Sequence, residues 1–483
     1  MRDRIRILRF LHPSSAEGPG VCACNRNASI FTRWSLLRSL LGEENLAVGG
    51  RESHLPCIRM KVGWRVCVTL SVLLLARFAL AQAPATNVQP PIPKPGPLAA
   101  PRSLQQVGLP LDQTRATIPP DNPQTPEKIA LGEKLFFDGR LSADGTVACA
   151  SCHQPDLALT DGKPTSVGIK GQVGQRNSPT VFNALYNKTQ FWDGRVQTLE
   201  QQAELPIINP IEMGQTNLNA AVAAIASIPD YEQAFRNVFK RPPNGPDLLR
   251  AIAAYERTLF LFNSPFDHFI AGDTNAISAS ARHGWALFNN QGRCNKCHAL
   301  TDNQPNLTSF TDNDFHNIGV GIIRHGVVPL ARQAEQLINS GHPPSVDRAA
   351  IISELSVLGR FLVTKKQTNI AAFKTPNLRN VLITSPYFHD GSQVTLWDVM
   401  DHYNKGDGLQ NPFLDQDIQP LALTEQDIDD FVALLASLTS DDYKEQGAKE
   451  LARQRELSRT SRPQRDTARA FGPKPTQPPP PGP

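Results

Sequence analysis

Cysteine and methionine are scarce along most of this chain. After residue 81, cysteine occurs only at positions 149, 152, 294 and 297, and methionine only at 213 and 400. The four cysteines fall in two identical short patterns, so none is left over for a disulfide. Only two thioethers remain that could serve as a ligand. No apolar run reaches the roughly 20 residues of a membrane-spanning helix. The run Val66–Ala76 is too short and is closed by Arg77. No basic patch interleaved with aromatics is present, which argues against nucleic acid as a partner.

The basic charge sits almost entirely at the front. Residues 1–81 hold 12 Lys+Arg and 5 Asp+Glu; the whole chain's +4 less that +7 leaves −3. Residues 60–81 carry Lys61 and Arg65, then the apolar run, then Ala79-Leu80-Ala81. That order is a charged n-region, a short h-region and a small-x-small cleavage site, so this stretch is expected to be a cleaved signal peptide directing the chain to the periplasm. Cleavage after Ala81 would also remove Cys22, Cys24, Cys57 and Cys67. Residues 1–59 then read as a spurious or disordered extension, with Met60 as the start.

What is present is Cys149-Ala150-Ser151-Cys152-His153 and Cys294-Asn295-Lys296-Cys297-His298. Each is C-x-x-C-H, the attachment signature of a c-type haem. Two thiols at this spacing can bond the two vinyl groups of one porphyrin, and the following histidine can ligate the iron. Two covalent haems are therefore expected, ligated by His153 and His298.

The rest of the pattern is helical and loop-rich. Thr125-Pro126 predicts a helix start with Leu131 and Leu135 on one face. Helices are predicted over Asn219–Ser227, Pro246–Phe262 and Ser278–Asn289, and Thr424 opens another with Ile428, Phe431 and Leu435 inward. The two motifs lie 145 residues apart (298 − 153), room for one helical domain per haem. The fold class expected is mainly α, with two helical haem domains. The expected divisions are a Pro-rich linker at 82–120, an N-terminal haem domain at 121–265, a C-terminal haem domain at 266–445 and a disordered Pro-rich tail at 446–483. The domain boundary is placed where Asn263-Ser264-Pro265 and Gly272-Asp273 break the helices. Residues 320–365 read as an insertion with no assigned role.

Several strings in order resemble the bacterial di-haem cytochrome c peroxidase family, including its MauG-type members. They are Leu135-Phe136-Phe137-Asp138, Arg176-Asn177-Ser178-Pro179-Thr180, Phe191-Trp192-Asp193-Gly194-Arg195, Asn209-Pro210-Ile211-Glu212-Met213, Thr375-Pro376-Asn377-Leu378-Arg379-Asn380 and Pro386-Tyr387-Phe388-His389-Asp390-Gly391. The resemblance runs from about residue 125 to 440. It implies two cytochrome c-like domains and a peroxide site at the His153 haem. Glu212 matches the family's distal carboxylate, Gln202 the neighbouring amide, and Trp192 a tryptophan between the haems that can relay electrons or simply pack. Ile169 stands where many members carry a histidine that closes the distal face, which implies a face open at rest.

The same resemblance places the sixth ligand of the second haem at Tyr403, as in MauG-type members; Met400, three residues earlier, keeps a His/Met alternative open. Asn177, Thr384 and Pro386 match an inter-haem calcium site, although all three also suit turns and caps. Arg176 and Arg379 are candidates for haem propionates, and His316 for lining the second haem. The function implied is reduction of hydrogen peroxide to water with electrons from a small cytochrome c or copper protein. The alternatives are a MauG-like enzyme that oxidises residues of a partner protein through a high-valent di-haem state, and a non-catalytic electron-transfer cytochrome. A homodimer is a further implication.

Overall fold

Capping side chains set most of the helix boundaries. Thr125 accepts from the Lys128 amide, with Pro126 behind it at the first helical position. Thr198, Thr395 and Thr424 each form a reciprocal capping box, with Gln201, Asp398 and Asp427. This computed structural model describes residues 118–299, 309–322, 326–340, 345–352, 354–406 and 411–461. The signal-peptide expectation, the 1–59 extension and most of the 82–120 linker lie outside these residues.

The helices are α1 (Pro126–Phe136), α2 (Leu199–Ile208), α3 (Leu218–Ala226), α4 (Pro229–Phe239), α5 (Gly245–Glu256), α6 (Pro265–Ile270) and α7 (Ala279–Asn289). After these come α8 (Val327–Asn339), α9 (Val346–Ile352), α10 (Leu396–Lys405), α11 (Glu425–Ser437) and α12 (Lys444–Ser461). The chain is mainly helical. Two short strands, β1 (Phe315–His316) and β2 (Phe373–Lys374), pair antiparallel with Phe315 opposite Lys374. Among the described residues no helix is long and apolar enough to cross a membrane.

Two helix pairs organise the core, α1 with α5 and α7 with α11. Each crosses at a glycine. A Cβ on Gly132 would lie 1.9 Å from the Ala251 carbonyl oxygen, and one on Gly284 would lie 2.1 Å from that of Asp430. Both contacts are far inside van der Waals distance, so only glycine permits these crossings.

The resemblance between the halves continues in detail at a constant shift of 197 residues (380 − 183). Asn183 and Asn380 are both left-handed, at φ 65° and 62°; so are Phe191 and Phe388, at 66° and 69°. The isolated bridges Gln190–Val196 and Tyr387–Gln393 share the shift, as do the boxed helix starts at Thr198 and Thr395. The side-chain oxygen of Asn183 accepts from the Leu261 amide, and that of Asn380 from the Ser440 amide.

The halves meet through a reciprocal pair of backbone bonds. The Asn177 amide donates to the His389 carbonyl at 2.8 Å, and the Lys374 amide donates to the Trp192 carbonyl at 2.8 Å. Asn177 and Lys374, like Trp192 and His389, are 197 apart. An isologous contact of this kind is what an internal two-fold produces.

The second half is longer. His153 precedes Phe191 by 38 residues, whereas His298 precedes Phe388 by 90, an excess of 52. The excess holds α8, α9 and the single turn Phe361–Thr364, and it has its own core, including Leu330, Ala350, Leu358, Phe361 and Ile370. It reaches the first half: Ile211 packs on that core, Arg176 donates to the Ser356 hydroxyl and carbonyl, and Arg195 pairs with Asp347 at 2.7 Å.

Three sequence expectations need correction. The helix expected to reach Phe262 stops at Glu256, because residues 259–263 leave the helix axis to bond Asn183 and Ser440. The boundary between Asn263-Ser264-Pro265 and Gly272-Asp273 is not free of helix: it contains α6, whose Asp267 is both the capping-box residue of Ser264 and the partner of Arg379. The tail is not disordered over 446–461. Helix α12 is anchored there by buried Gln454, which donates to the Leu382 carbonyl and Tyr387 hydroxyl and accepts from the Leu396 amide.

Candidate active site

Both C-x-x-C-H motifs open onto one continuous cavity of about 430 Å³, lined by all four thiols and both histidines. The first cysteine pair sits on the helical turn Cys149–Cys152 and the second on the turn Cys294–Lys296 with Cys297 as its C-cap, which places the first thiol and the histidine on the same side in each. The His153 Nδ1 lies 3.0 Å from the Leu159 carbonyl, and the His298 Nδ1 lies 2.7 Å from the Phe310 carbonyl. A carbonyl only accepts, so Nδ1 carries the proton on both rings and the Nε2 lone pair is free to ligate. Burial holds both imidazoles below the usual histidine range, in the neutral form a metal requires. Paired thiols, free Nε2 atoms and an apolar wall fit two covalent haems.

Gln202 and Glu212 line the first-half side of this cavity. Gln202 comes from α2 and Glu212 from the loop behind it, held by an Asn209 Nδ2 bond of 2.9 Å to its carboxylate. Burial raises the Glu212 pKa; Arg195 opposes the shift and Asp347 adds to it. A carboxyl poised toward its neutral form suits proton transfer. Ile169 is buried under this loop rather than on the cavity wall. Its amide donates to the Glu212 carbonyl, and Gly214 stays bare of side chain where Ile169 Cδ1 packs.

On the second-half side, Leu396, Val399, Met400 and Tyr403 line the cavity from α10. Both candidate sixth ligands therefore face it, one helical turn apart, and burial pushes the Tyr403 phenol up. The 197-residue shift puts Leu199, Gln202, Ala203 and Pro206 of α2 at the equivalent positions, and these also line the cavity. Neither Ala203 nor Pro206 has an atom that can bind iron.

Trp192 lies at the seam. Its indole donates to the Asn177 carbonyl at 2.9 Å, and its ring meets that of His389 edge-on at 6.5 Å. Asn177, Thr384 and Pro386 line the cavity too. Arg176 faces the cavity and pairs with fully buried Asp193 at 2.6 Å. Arg379 does not reach it. Its guanidinium is spent on both oxygens of Asp267, at 2.7 and 2.8 Å, and stacks on Phe262, so it is not placed to hold a propionate. His316 does line the cavity, between Asp312 at 2.9 Å and Asp415 at 2.6 Å, which hold it protonated.

Motif reading missed Arg195, Lys374 and Glu256, all on the cavity wall. Lys374 is buried, donates to the Thr189 carbonyl at 2.7 Å, and burial brings its pKa down to about 8. With Arg176 and Arg195 it gives the wall near Asp193 more positive than negative charge, which suits acidic cofactor edges. The hint in the sequence was the internal repeat, since Lys374 occupies the place of Asn177.

The family model of the di-haem cytochrome c peroxidases matches residues 126–275. The chain is 36% identical over 327 residues to the methylamine utilization protein MauG of Methylorubrum extorquens, covering 67% of this chain and 81% of that protein. This chain belongs to the di-haem cytochrome c peroxidase family. It is also 35% identical over 320 residues to cytochrome c551 peroxidase of Pseudomonas aeruginosa, covering 66% of this chain and 80% of that one. Among solved structures it resembles a MauG-like protein associated with microbial copper homeostasis, with TM-score 0.55, 30% identity, and coverage of 67% and 92% of the two chains. The di-haem peroxidase BthA of Burkholderia thailandensis gives TM-score 0.52 at 25% identity, covering 67% and 88%. Membership implies two c-type haems and peroxidase-type oxidoreductase chemistry, and both branches, MauG and cytochrome c peroxidase, are represented among the relatives.

Proposed function

We propose that this di-haem enzyme reduces hydrogen peroxide at the first-half site, H₂O₂ + 2H⁺ + 2e⁻ → 2H₂O, with electrons from a small cytochrome c or copper protein. The observation that carries this reading is the contrast along the repeated helix. Tyr403 and Met400 face the second-half cavity, whereas Pro206 and Ala203 stand in their places in the first. A first haem held by Cys149, Cys152 and His153 would then keep an open face for peroxide beside Gln202 and Glu212. A second, held by Cys294, Cys297, His298 and Tyr403, would pass electrons. The haems supply the redox chemistry when bound. Glu212, as a buried acid, moves the proton between the peroxide oxygens. Gln202 orients the substrate by hydrogen bonding, and Arg176 and Lys374 balance acidic cofactor edges. Trp192, bonded to Asn177 at the seam, connects the two sites.

The two haem domains of this proposal are the repeated units, each with its glycine-crossed helix pair. A calcium ion at Asn177, Thr384 and Pro386 belongs to it as a structural cation at the seam. Export to the periplasm rests on residues 60–81.

Tyr403 and Ile169 favour a second reading, a MauG-like oxidation of residues on a partner protein. Electron paramagnetic resonance of the diferric holoprotein, before and after one equivalent of peroxide, tests the proposal. One high-spin and one low-spin haem with peroxide consumption supports it, and turnover with a reduced small cytochrome favours the conventional peroxidase. A long-lived oxidised state that ignores that donor favours the MauG-like reading. Two low-spin haems inert to peroxide would leave an electron-transfer cytochrome.

A further inference from the structure

A second carboxylic acid faces the first-half cavity. Glu256 is the last residue of α5, 4% exposed, and lines the cavity. Its Oε2 is buried and accepts no hydrogen bond from any described residue. The neighbouring Arg257 makes no hydrogen bond to it: its Nη2 goes to Glu200, at 2.8 Å to Oε1 and 2.9 Å to Oε2, and its Nη1 is buried without a partner among the described residues. Asn122 adds a 2.7 Å bond to the same carboxylate. An ionised carboxylate left unpaired in such a place is strongly disfavoured, so the neutral acid is the favoured state. Cys149 lies within electrostatic reach of both Glu256 and Glu212, so the two acids serve the same end of the cavity. Glu200, its side chain one-fifth exposed (20%), is the carboxylate nearer solvent.

We propose that Glu256 is the proton-loading group of the first-half site, holding a proton in the resting cavity and exchanging it with solvent by way of Glu200. The inference rests on the peroxidase reading, in which two protons must enter for every peroxide reduced. Glu212 shuttles a proton between oxygens, but net supply has to cross the wall. The donor protein supplies the two electrons; Glu256 gives up a proton twice per cycle, one for each electron, and regains each from solvent. The charged and titratable groups around Glu256 are Arg257 and Tyr255 on and after α5, Glu200 on α2, Cys149 on the haem turn, and Glu133 of α1 beyond Tyr255. Burial foremost, then Arg257 opposing and Glu200 adding, brings the Glu256 pKa up to about 8.

The test is infrared difference spectroscopy of the loaded, diferric holoprotein in H₂O and D₂O, together with the pH profile of peroxide turnover. The wild type should show a carboxylic-acid C=O band that shifts in D₂O and fades as pH rises past about 8. The band should vanish in Glu256→Gln, persist in Glu212→Gln, and return at a shifted frequency in Glu256→Asp. The alkaline limb of kcat should disappear in Glu256→Gln and return in Glu256→Asp. Glu200→Gln, at the outer end, should slow deuterium exchange of the band roughly tenfold. A band that survives both Glu212→Gln and Glu256→Gln overturns the assignment, and unchanged exchange in Glu200→Gln overturns the route. Should Glu256→Gln fail to load haem, the Glu200→Gln exchange and the Glu256→Asp band still decide. A wild type with the band but without peroxide turnover would sink the peroxidase reading and leave Glu256 a buried acid.

Discussion

The two halves share a scaffold and differ where chemistry needs them to. Position for position, Phe191 and Phe388, Gly194 and Gly391, and Thr198 and Thr395 keep the same backbone and the same caps. Over the same stretch Trp192 faces His389, Arg195 has become Ser392, and the helix residues Ala203 and Pro206 have become Met400 and Tyr403. The conserved set needs special backbone or a cap. The divergent set lines the cavity, except for exposed Ser392. One loop–helix unit can therefore face the cavity with or without side-chain ligand atoms by changing two side chains on one helical face.

The largest way to break this comparison is at the carboxylate. Glu212→Gln should cut peroxide turnover by about 10²–10⁴-fold, the usual worth of a general acid–base group. The resting spectra of both haems should stay unchanged, as checked by steady-state assay and absorption spectroscopy.

Exchanging the divergent positions comes next. Pro206→Tyr should convert the first haem from high to low spin and remove most of the turnover, because it supplies the first site with the ligand proposed for the second. Tyr403→Phe should convert the second haem from low to high spin. If Met400→Leu does so instead, the ligation is His/Met.

The helix crossings should respond alike. Gly132→Ala and Gly284→Ala each force a methyl against a backbone carbonyl and should cost about 1–3 kcal/mol, measured by denaturant unfolding of the holoprotein. A large inequality would show that the two crossings are not equivalent.

The smallest effect is expected at Asp347, which is partly exposed. Asp347→Asn should cost no more than about 1 kcal/mol. Asp347 helps raise the Glu212 pKa, so its neutralisation should let Glu212 ionise at lower pH. The carboxylic-acid infrared band that is lost in Glu212→Gln should therefore titrate at lower pH.

The haem motifs, the caps at Thr125 and Thr424, and the inward faces of the core helices were legible because each depends on neighbours within a turn. The cavity-facing placement of Glu212, Gln202, Trp192 and Tyr403 was legible only through family strings. Arg379 misled because its string matches while its partner, Asp267, lies 112 residues away. Helix α12 was hidden by composition: its polar face resembles a solvated tail, and it is fixed by Gln454, a residue type that usually stays outside. The inserted 52 residues show no motif, and their role became visible only in what they touch.

Those inserted residues also bear on how the molecule can be divided. In chain order they belong to the second half, yet Ala350 and Ile351 line the shared cavity and Asp347 and Ser356 grip Arg195 and Arg176 of the first. A gene cut at the natural boundary would give an N-terminal fragment with its motif intact and one wall missing. The unit of inheritance and the unit of architecture are therefore not the same here, and neither half can be transplanted without a piece of the other.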